Sequence, residues 1–292
     1  MKKVCLLDNP ISGSTIHTTR VEALLARLKD HGFNVTYETL ASFEQTQNVI
    51  EEQLKAGCDI FIVSGGDGTV RSVAQHLIDT RIPLLIFPSG NENLLASQFG
   101  LSAEPSDAMD IILQWKCKKI DVARINGMIC IAVAGVGVDA AIVHHVQRKR
   151  KGHISVLDYV WPTIKTFLSY RHQTIEICVD GQEVFGAKAI AFIGNISRYG
   201  GGFKIFDSAV CDDGLLDIVI FQCSNLFQLV YLFFLAITGR TSVSSLVWHF
   251  SGKEIIIRTP CDNMKTQIDG EPGPDMPLDV KVVPDGLCLL VP

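Results

Sequence analysis

The sequence has no CxxC pair, no Walker-type GxxxxGKS or GxxxxGKT motif, and no apolar run as long as a membrane span. Its nine cysteines stand singly, which excludes a zinc ribbon or a CxxC redox centre and indicates reduced thiols in a cytosolic protein. The eight histidines follow no metal-binding spacing. Because the Walker-type motif is missing, any nucleotide site must use another kind of loop.

An excess of basic residues is absent too, since the formal net charge of the 292 residues is −5. This charge disfavours nucleic acid as a partner. Hydrophobic residues make up 47% of the chain and charged residues 20%, which excludes a disordered protein. The length predicts two domains.

The mean hydropathy of +0.26 is high, yet no transmembrane segment is predicted. The most apolar stretch, Leu226–Ile237, is shorter than the roughly 20 residues of a span and predicts either a buried helix or a lipid-facing one. Val4–Leu7 is too short for a signal peptide. The basic run Arg148–Lys151 is either a solvated loop or a contact for anionic headgroups. We therefore expect a cytoplasmic protein, with peripheral attachment to the inner face of the membrane as the open alternative.

Two patterns divide the chain near residue 124. Before this point apolar strands alternate with helices, which predicts an α/β domain over residues 1–124 with a parallel sheet and helices on both faces. After it strand-like segments follow one another, which predicts a β-rich domain over residues 125–292. The predicted strands are 4–7, 34–39, 60–63, 83–87, 129–134, 174–180, 187–195, 215–221, 254–258 and 278–283, and the predicted helices are 18–30, 43–56, 69–78, 155–169 and 225–238.

Three polar loops follow predicted parallel strands: Asn9–Gly13, Gly65–Thr69 and Pro88–Asn93. Since the carboxyl ends of parallel strands share one edge, these loops predict a single phosphate-binding cleft. The alternative for the second loop is a plain turn in which Thr69 caps the following helix. A further segment, Gly135–Ala140, fits GxGxxA, but it opens a β-rich region and is rejected as a dinucleotide fingerprint.

Seven short motifs along the chain resemble, in order and spacing, the diacylglycerol kinase catalytic-domain family. This family of soluble lipid kinases includes bacterial diacylglycerol kinases, YegS-like lipid kinases and sphingosine kinases. The resemblance implies an α/β N-terminal domain similar to NAD kinase and phosphofructokinase, a C-terminal β-sandwich domain, and an active site in the cleft between them. The motifs are Asn9–Gly13, Gly65–Thr69, Pro88–Asn93, Ile120–Arg124, Gly135–Asp139, Asp212–Asp217 and Ile268–Glu271.

The resemblance also implies roles for individual residues. Mg²⁺ would be held by the carboxylate of Asp213 and the carbonyls of Val210 and Leu215, although Asp213 also fits an ordinary hairpin. The proton acceptor would be Glu271, or Asp67 as in sphingosine kinases, and Glu271 also fits a solvated turn. ATP would lie on a larger set: Asn9, Pro10, Ile11, Ser12, Gly13, Thr39, Gly65, Gly66, Asp67, Gly68, Thr69, Gly90, Asn91 and Asn93.

Several positions depart from the family pattern. Leu94 stands where the family has an aspartate, Asn91 where it has a threonine, and Arg71 and Ser72 where it has Asn-Glu. Despite these departures, the seven shared motifs predict an ATP- and Mg²⁺-dependent lipid kinase acting on a diacylglycerol-like or sphingoid hydroxyl. Two alternatives stay open: a soluble-substrate kinase of the NAD kinase type, and a catalytically weak nucleotide- or lipid-binding homologue. The oligomeric state is not determined, and a homodimer is one option.

Overall fold

The computed structural model describes residues 1–10, 15–40, 43–90, 92–149, 165–200, 203–206, 209–260 and 264–292. It divides into two compact units. The first consists of Met1–Ile120 with Asp285–Pro292, and the second of Asp121–Pro284. The division lies close to the predicted boundary at residue 124. The sequence pattern did not assign Asp285–Pro292 to the first unit. These residues belong there because Leu289 pairs with Leu84 in a parallel register.

The first unit contains a parallel sheet with the order β2-β1-β3-β4. Its strands are β1 (Lys3–Asp8), β2 (Asn34–Thr39), β3 (Ile60–Gly65) and β4 (Leu84–Pro88). Its helices are α1 (Thr15–Asp30), α2 (Phe43–Lys55), α3 (Asp67–Leu77), α4 (Leu94–Gln98) and α5 (Pro105–Gln114). Every residue of β3 is buried, as expected for a strand of a parallel sheet covered on both sides. The α/β fold class of this unit is therefore confirmed.

The second unit is a β-sandwich that also contains the helices α6 (Val138–Lys149) and α7 (Leu226–Thr238), helical residues at 165–169, and a 3₁₀ turn at Thr241–Val243. Strand β5 begins in the first unit, and strand β17 ends there. The strands of the second unit are β5 (Cys117–Ile125), β6 (Met128–Cys130), β7 (Val133–Val136), β8 (Thr174–Val179), β9 (Gln182–Gly194), β10 (Arg198–Tyr199), β11 (Phe203–Lys204), β12 (Leu216–Gln222), β13 (Val247–Gly252), β14 (Glu254–Arg258), β15 (Thr266–Ile268), β16 (Glu271–Pro272) and β17 (Leu278–Leu290).

The long strand β9 joins the two sheets of the sandwich. Its first half pairs with β8, and its second half pairs with β7 and β12. Alternate residues of these strands point into one apolar core, to which Ile177, Ile193, Ile218 and Ile255 belong. This alternation confirms the predicted β-sandwich.

Two sequence interpretations gain a structural explanation. Segment Gly135–Ala140 does join a strand to a helix, but β7 runs antiparallel to β9 and β15, so no βαβ unit is formed.

Part of the basic run, 150–151, lies outside the described residues, as do residues 155–164 of one predicted helix. Residues 165–169 of that predicted helix are helical. Among the helices of the described residues, none is both long and apolar enough to cross a membrane.

Candidate active site

The three strand-end loops of the first unit are joined by hydrogen bonds. The amide of Asn9 donates to the carbonyl of Ser64 at 2.9 Å, and its side-chain Nδ2 donates to Thr69 Oγ1 at 2.8 Å. The amide of Ser89 donates to the carbonyl of Gly65 at 3.0 Å. The predicted convergence of these loops at one edge of the sheet is thus present in the described residues.

Two glycines set the spacing between neighbouring loops. A Cβ placed on Gly90 would lie 2.6 Å from Cα of Gly66, and one placed on Gly66 would lie 3.2 Å from Cα of Gly90. Real Cβ atoms do not approach backbone at the first of these distances, so the loops pack at a separation that only glycine permits. A side chain at either position would push apart these two loops, which are named here the glycine cradle.

Helix α3 starts directly from this cradle. Gly66 is its N-cap in an extended conformation and supplies no side-chain cap, and Asp67 is its first residue. The first amides of a helix have no intrahelical acceptor and favour a bound anion. Thr69 does not cap the helix, contrary to the plain-turn alternative, because Gly66 is the N-cap and Thr69 is the third helical residue, whose hydroxyl accepts from Asn9.

Of the other predicted nucleotide contacts, Thr39 and Asn93 are described by the structure. Thr39 ends β2 in register with Asp8, at the same edge as the loops. The side chain of Asn93 binds both sides of Gly90: its Oδ1 accepts from the Gly90 amide at 3.0 Å and its Nδ2 donates to the carbonyl at 2.7 Å. In the structure Asn93 therefore shapes the loop. Ile11, Ser12, Gly13 and Asn91 lie outside the described residues.

A buried polar network lies beneath the loops and was not found from the sequence. Asp8 Oδ1 accepts from Ser64 Oγ at 2.7 Å and lies 2.9 Å from His17 Nε2, while Asp8 Oδ2 accepts from the hydroxyl of Tyr37 at 3.1 Å. Partial burial raises the pKa of Tyr37, and the Asp8 charge raises it further, so the phenol remains a donor at neutral pH. Asp8 and Ser64 immediately precede loop residues, so the network fixes the base of the site.

Replacement of Asp8 by alanine is expected to lower the free energy of unfolding by about 3 kcal/mol, because three donors lose a shared buried acceptor. The matched control is Asp59→Ala. Asp59 also accepts a bond at the sheet, from the amide of Lys3, but is exposed. Urea denaturation monitored by circular dichroism measures both. Equal losses for the two variants would show that the network does not stabilise the sheet edge.

In the second unit, a tight hairpin presents the predicted base. Ile268 pairs with Glu271, and the two residues between them, Asp269 and Gly270, have φ of 49° and 79°. Positive φ at both central positions defines a type I′ turn, for which Asp-Gly is a preferred sequence. Glu271 is half-buried at the start of β16.

The first carboxylate of this hairpin is structural. Asp269 is only 7% exposed, and its two oxygens accept from three consecutive amides, those of Ile131, Ala132 and Val133, at 2.9–3.0 Å. It thus ties the turn to the segment before β7. The sequence predicted Glu271 as the base, which stays a prediction, but it did not show that Asp269 holds the turn.

The predicted metal site is an Asp-Gly turn at residues 212–215. Asp213 is exposed and its Oδ1 accepts from the Leu215 amide at 3.0 Å, while the Gly214 amide donates to the buried Asp121 at 2.6 Å. Within the described part of the chain, no cluster of three or more His, Cys, Asp or Glu side chains could hold a metal ion. A site here would rest on one carboxylate plus carbonyls, an all-oxygen donor set that fits Mg²⁺, which retains several waters.

A pocket of about 250 Å³ lies in the second unit beside the strand that leads to the hairpin. Lys265 immediately precedes β15, and its carbonyl accepts from the amide of Gly137 at 3.1 Å. Both residues line the pocket, together with Ala141, Thr166, Ser169, Tyr170, Arg171 and Gln173.

The sequence matches two family descriptions that together cover nearly the whole chain. Residues 3–125 match the diacylglycerol kinase catalytic domain, and residues 132–291 match the YegS C-terminal NAD kinase beta sandwich-like domain. The chain belongs to the YegS-like diacylglycerol kinase family. The predicted resemblance is therefore confirmed.

Individual relatives of the YegS-like family agree with this assignment. A diacylglycerol kinase of Mycobacterium tuberculosis is 29% identical, with 99% of this chain and 95% of the relative covered. One from Bacillus subtilis is 26% identical, with 95% and 92% covered. A crystal structure of a diacylglycerol kinase from Bacillus anthracis shares the fold, with a TM-score of 0.73, 20% identity, and 100% and 97% of the two chains covered.

Three of the departures from the YegS-like family pattern, Arg71, Ser72 and Leu94, lie on helices that begin at the loops, and the fourth, Asn91, lies outside the described residues. Leu94 is the first residue of α4, and Ser72 on α3 donates to the carbonyl of Thr69 at 2.8 Å. Ser72 thus reinforces the first turn of α3.

Proposed function

We propose that the protein is an ATP- and Mg²⁺-dependent kinase that phosphorylates the hydroxyl of a diacylglycerol-like or sphingoid lipid. The observation that carries the proposal is the cradle at Gly66 and Gly90, which adjoins the uncapped start of α3. Membership of a lipid kinase family supports the same function. Phosphoryl transfer depends mainly on positioning and charge stabilisation, and the two units offer residues for both.

The first unit is proposed to hold ATP. The amides of the Gly65–Thr69 loop and of the first turn of α3 donate to phosphate oxygens, while Asn9 and Asn93 keep the neighbouring loops in place. Thr39, at the end of β2, lies at the same edge. Mg²⁺ bound at the carboxylate of Asp213 and the carbonyls of Val210 and Leu215 would stabilise the turn of the second unit as a structural ion.

The second unit is proposed to supply the base. Glu271 accepts the proton of the lipid hydroxyl as its oxygen bonds to the γ-phosphorus of ATP and the bond from that phosphorus to ADP breaks. The products are the lipid phosphate and ADP. Because Asp269 and the type I′ turn fix the hairpin backbone, Glu271 needs little reorganisation to take the proton.

A transfer assay with a panel of acceptors tests this function. The protein is incubated with γ-labelled ATP and Mg²⁺ and either mixed micelles of diacylglycerol, mixed micelles of a sphingoid base, or NAD in solution. Label in a lipid is the expected result. Label in NAD would replace the proposal by the soluble-substrate alternative, and nucleotide binding without transfer to any acceptor would favour a non-catalytic homologue.

Asp67→Asn is expected to weaken MgATP binding about tenfold. Asp67 is the only carboxylate in the first turn of α3, and asparagine would no longer attract the Mg²⁺ ion that is bound to ATP. Asp107→Asn is the control, since Asp107 is likewise the acidic residue in the first turn of α5. Isothermal titration calorimetry with MgATP measures both. Normal affinity and normal turnover of Asp67→Asn would remove Asp67 from the site, whereas normal affinity with lost transfer would make it the base.

A further inference from the structure

Helix α7 has two apolar faces, and among the described residues of the helix one face is buried and the other is exposed. Leu229, Leu232, Leu235 and Ala236 are buried and share one side of the helix. The opposite side, named here the docking face, is exposed to solvent, with Phe227 87% and Phe234 61% exposed. The docking face consists of Phe227, Val230, Tyr231, Phe233, Phe234 and Ile237. So large an exposed apolar surface marks an interaction site.

The helix is suited to lie in a membrane surface and not to cross it. It has 13 residues and so is roughly 20 Å long, shorter than the roughly 30 Å hydrocarbon core of a bilayer. Its ends are well defined: Asn225 Oδ1 accepts from the amide of Gln228 at 3.0 Å, and Gly239 closes the helix in a left-handed conformation. The helix is therefore capped at both ends, and the side chains on its exposed side are aromatic and aliphatic.

The charges around the docking face complement an anionic surface. From Ile218 to Gly252 the chain contains no Asp, Glu or Lys, and its one Arg is Arg240, just beyond the end of α7. The ring of Phe167 contacts that of Phe233, with centroids 6.0 Å apart, and the segment around Phe167 adds the exposed cations Lys165 and Arg171. Basic residues beside an apolar face bind anionic headgroups in a protein whose overall charge is negative.

The docking face is also continuous with the candidate active site of the second unit. Phe167 contacts the face, and the neighbouring Thr166, Tyr170 and Arg171 line the 250 Å³ pocket. The same pocket is lined by Lys265, from which β15 leads to the Glu271 hairpin. A lipid that leaves the bilayer at α7 would thus meet this pocket first.

From these observations we propose that α7 docks the protein on a bilayer containing anionic lipid, with its docking face among the acyl chains and Arg240, Lys165 and Arg171 toward the headgroups. The biological purpose of this docking rests on the proposed lipid kinase function. The position of the docking face is inferred from the structure of the second unit alone. The occupant is the bilayer surface from which the acceptor lipid is drawn.

Sedimentation with vesicles of phosphatidylcholine mixed with phosphatidylglycerol tests the proposal, without ATP. The double variant Phe227→Ser/Phe234→Ser is expected to bind these vesicles at least tenfold more weakly than the unchanged protein, since two exposed rings lose their apolar burial. Leu113→Ser is the control, because Leu113 is 54% exposed on α5 in the other unit. Equal binding by the double variant and the unchanged protein would overturn the proposal.

Two further measurements distinguish membrane docking from dimerisation through the same face and from a loss of catalysis. Analytical ultracentrifugation without vesicles should show the same mass for the unchanged protein and the double variant; a dimer that the double variant dissociates would instead assign the face to a second copy of the chain. Turnover of a monomeric short-chain diacylglycerol should be unchanged in the double variant, while turnover on vesicles falls. If the unchanged protein binds vesicles but phosphorylates no acceptor, the proposed function fails and the docking surface stands.

Discussion

Glu271→Gln is expected to lower the rate of phosphate transfer to the lipid by about 10²–10⁴-fold, the contribution usual for a positioned general base. Glutamine retains the size and the hydrogen-bonding shape of the side chain but cannot take up the hydroxyl proton at neutral pH. The hairpin should keep its geometry, because it is held by Asp269 and the type I′ turn and not by Glu271. MgATP affinity should therefore remain within about twofold, so that the loss lies in kcat.

Glu176→Gln is the matched control for this variant, since Glu176 is an exposed glutamate on β8 of the same unit. Initial rates of lipid phosphorylation at saturating ATP, together with calorimetric ATP binding, separate the base from a merely structural role. Full turnover by Glu271→Gln would exclude Glu271 as the base. A parallel loss of ATP affinity would place Glu271 among the nucleotide contacts instead.

Gly90→Ala is expected to weaken MgATP binding about tenfold or more, because the added methyl would lie 2.6 Å from Cα of Gly66 and must push the two loops apart. The obstacle is backbone, which cannot rotate away as a flexible side chain does. Since Gly90 is not in the left-handed region, the effect comes from the close approach alone.

The control for Gly90→Ala is Gly186→Ala. A Cβ on Gly186 would meet only the end of the Glu183 side chain, at 3.4 Å, and the backbone there also tolerates alanine. Both variants are compared by calorimetry with MgATP and by thermal unfolding. Unchanged ATP affinity of a folded Gly90→Ala protein would mean that the cradle does not hold the phosphates.

The fold was largely predictable because its signals are local. The apolar runs of β1, β3 and β4 and the periodicity of α1 and α2 are visible in single stretches of sequence. The glycine loops were found in the same way, whereas the Asp-Gly-Glu motif was found through the resemblance to the family. Helix α3 was predicted to begin near Thr69, two residues late, since its cap is a glycine whose extended conformation carries no side-chain signal.

The remaining features depend on contacts between distant residues. His17 reaches Asp8 from α1, and Ser64 reaches it from a neighbouring strand, so no local pattern shows the buried network. Likewise, the three amides that bind Asp269 lie more than a hundred residues earlier in the chain. For α7 the sequence left a buried and a lipid-facing helix open. One face of the helix is buried and the other is exposed, so a buried helix describes only half of it, and the lipid-facing alternative stays a prediction.

The most direct test of the account is the stoichiometry of the reaction. With Mg²⁺, ATP and mixed micelles of either diacylglycerol or a sphingoid base, ADP and the phosphorylated lipid are measured in the same samples over time. We predict that both appear at equal rates, that removal of Mg²⁺ with EDTA stops both, and that Glu271→Gln lowers both together. Release of ADP without any lipid phosphate, or no release of ADP at all, would contradict the assignment of a lipid kinase.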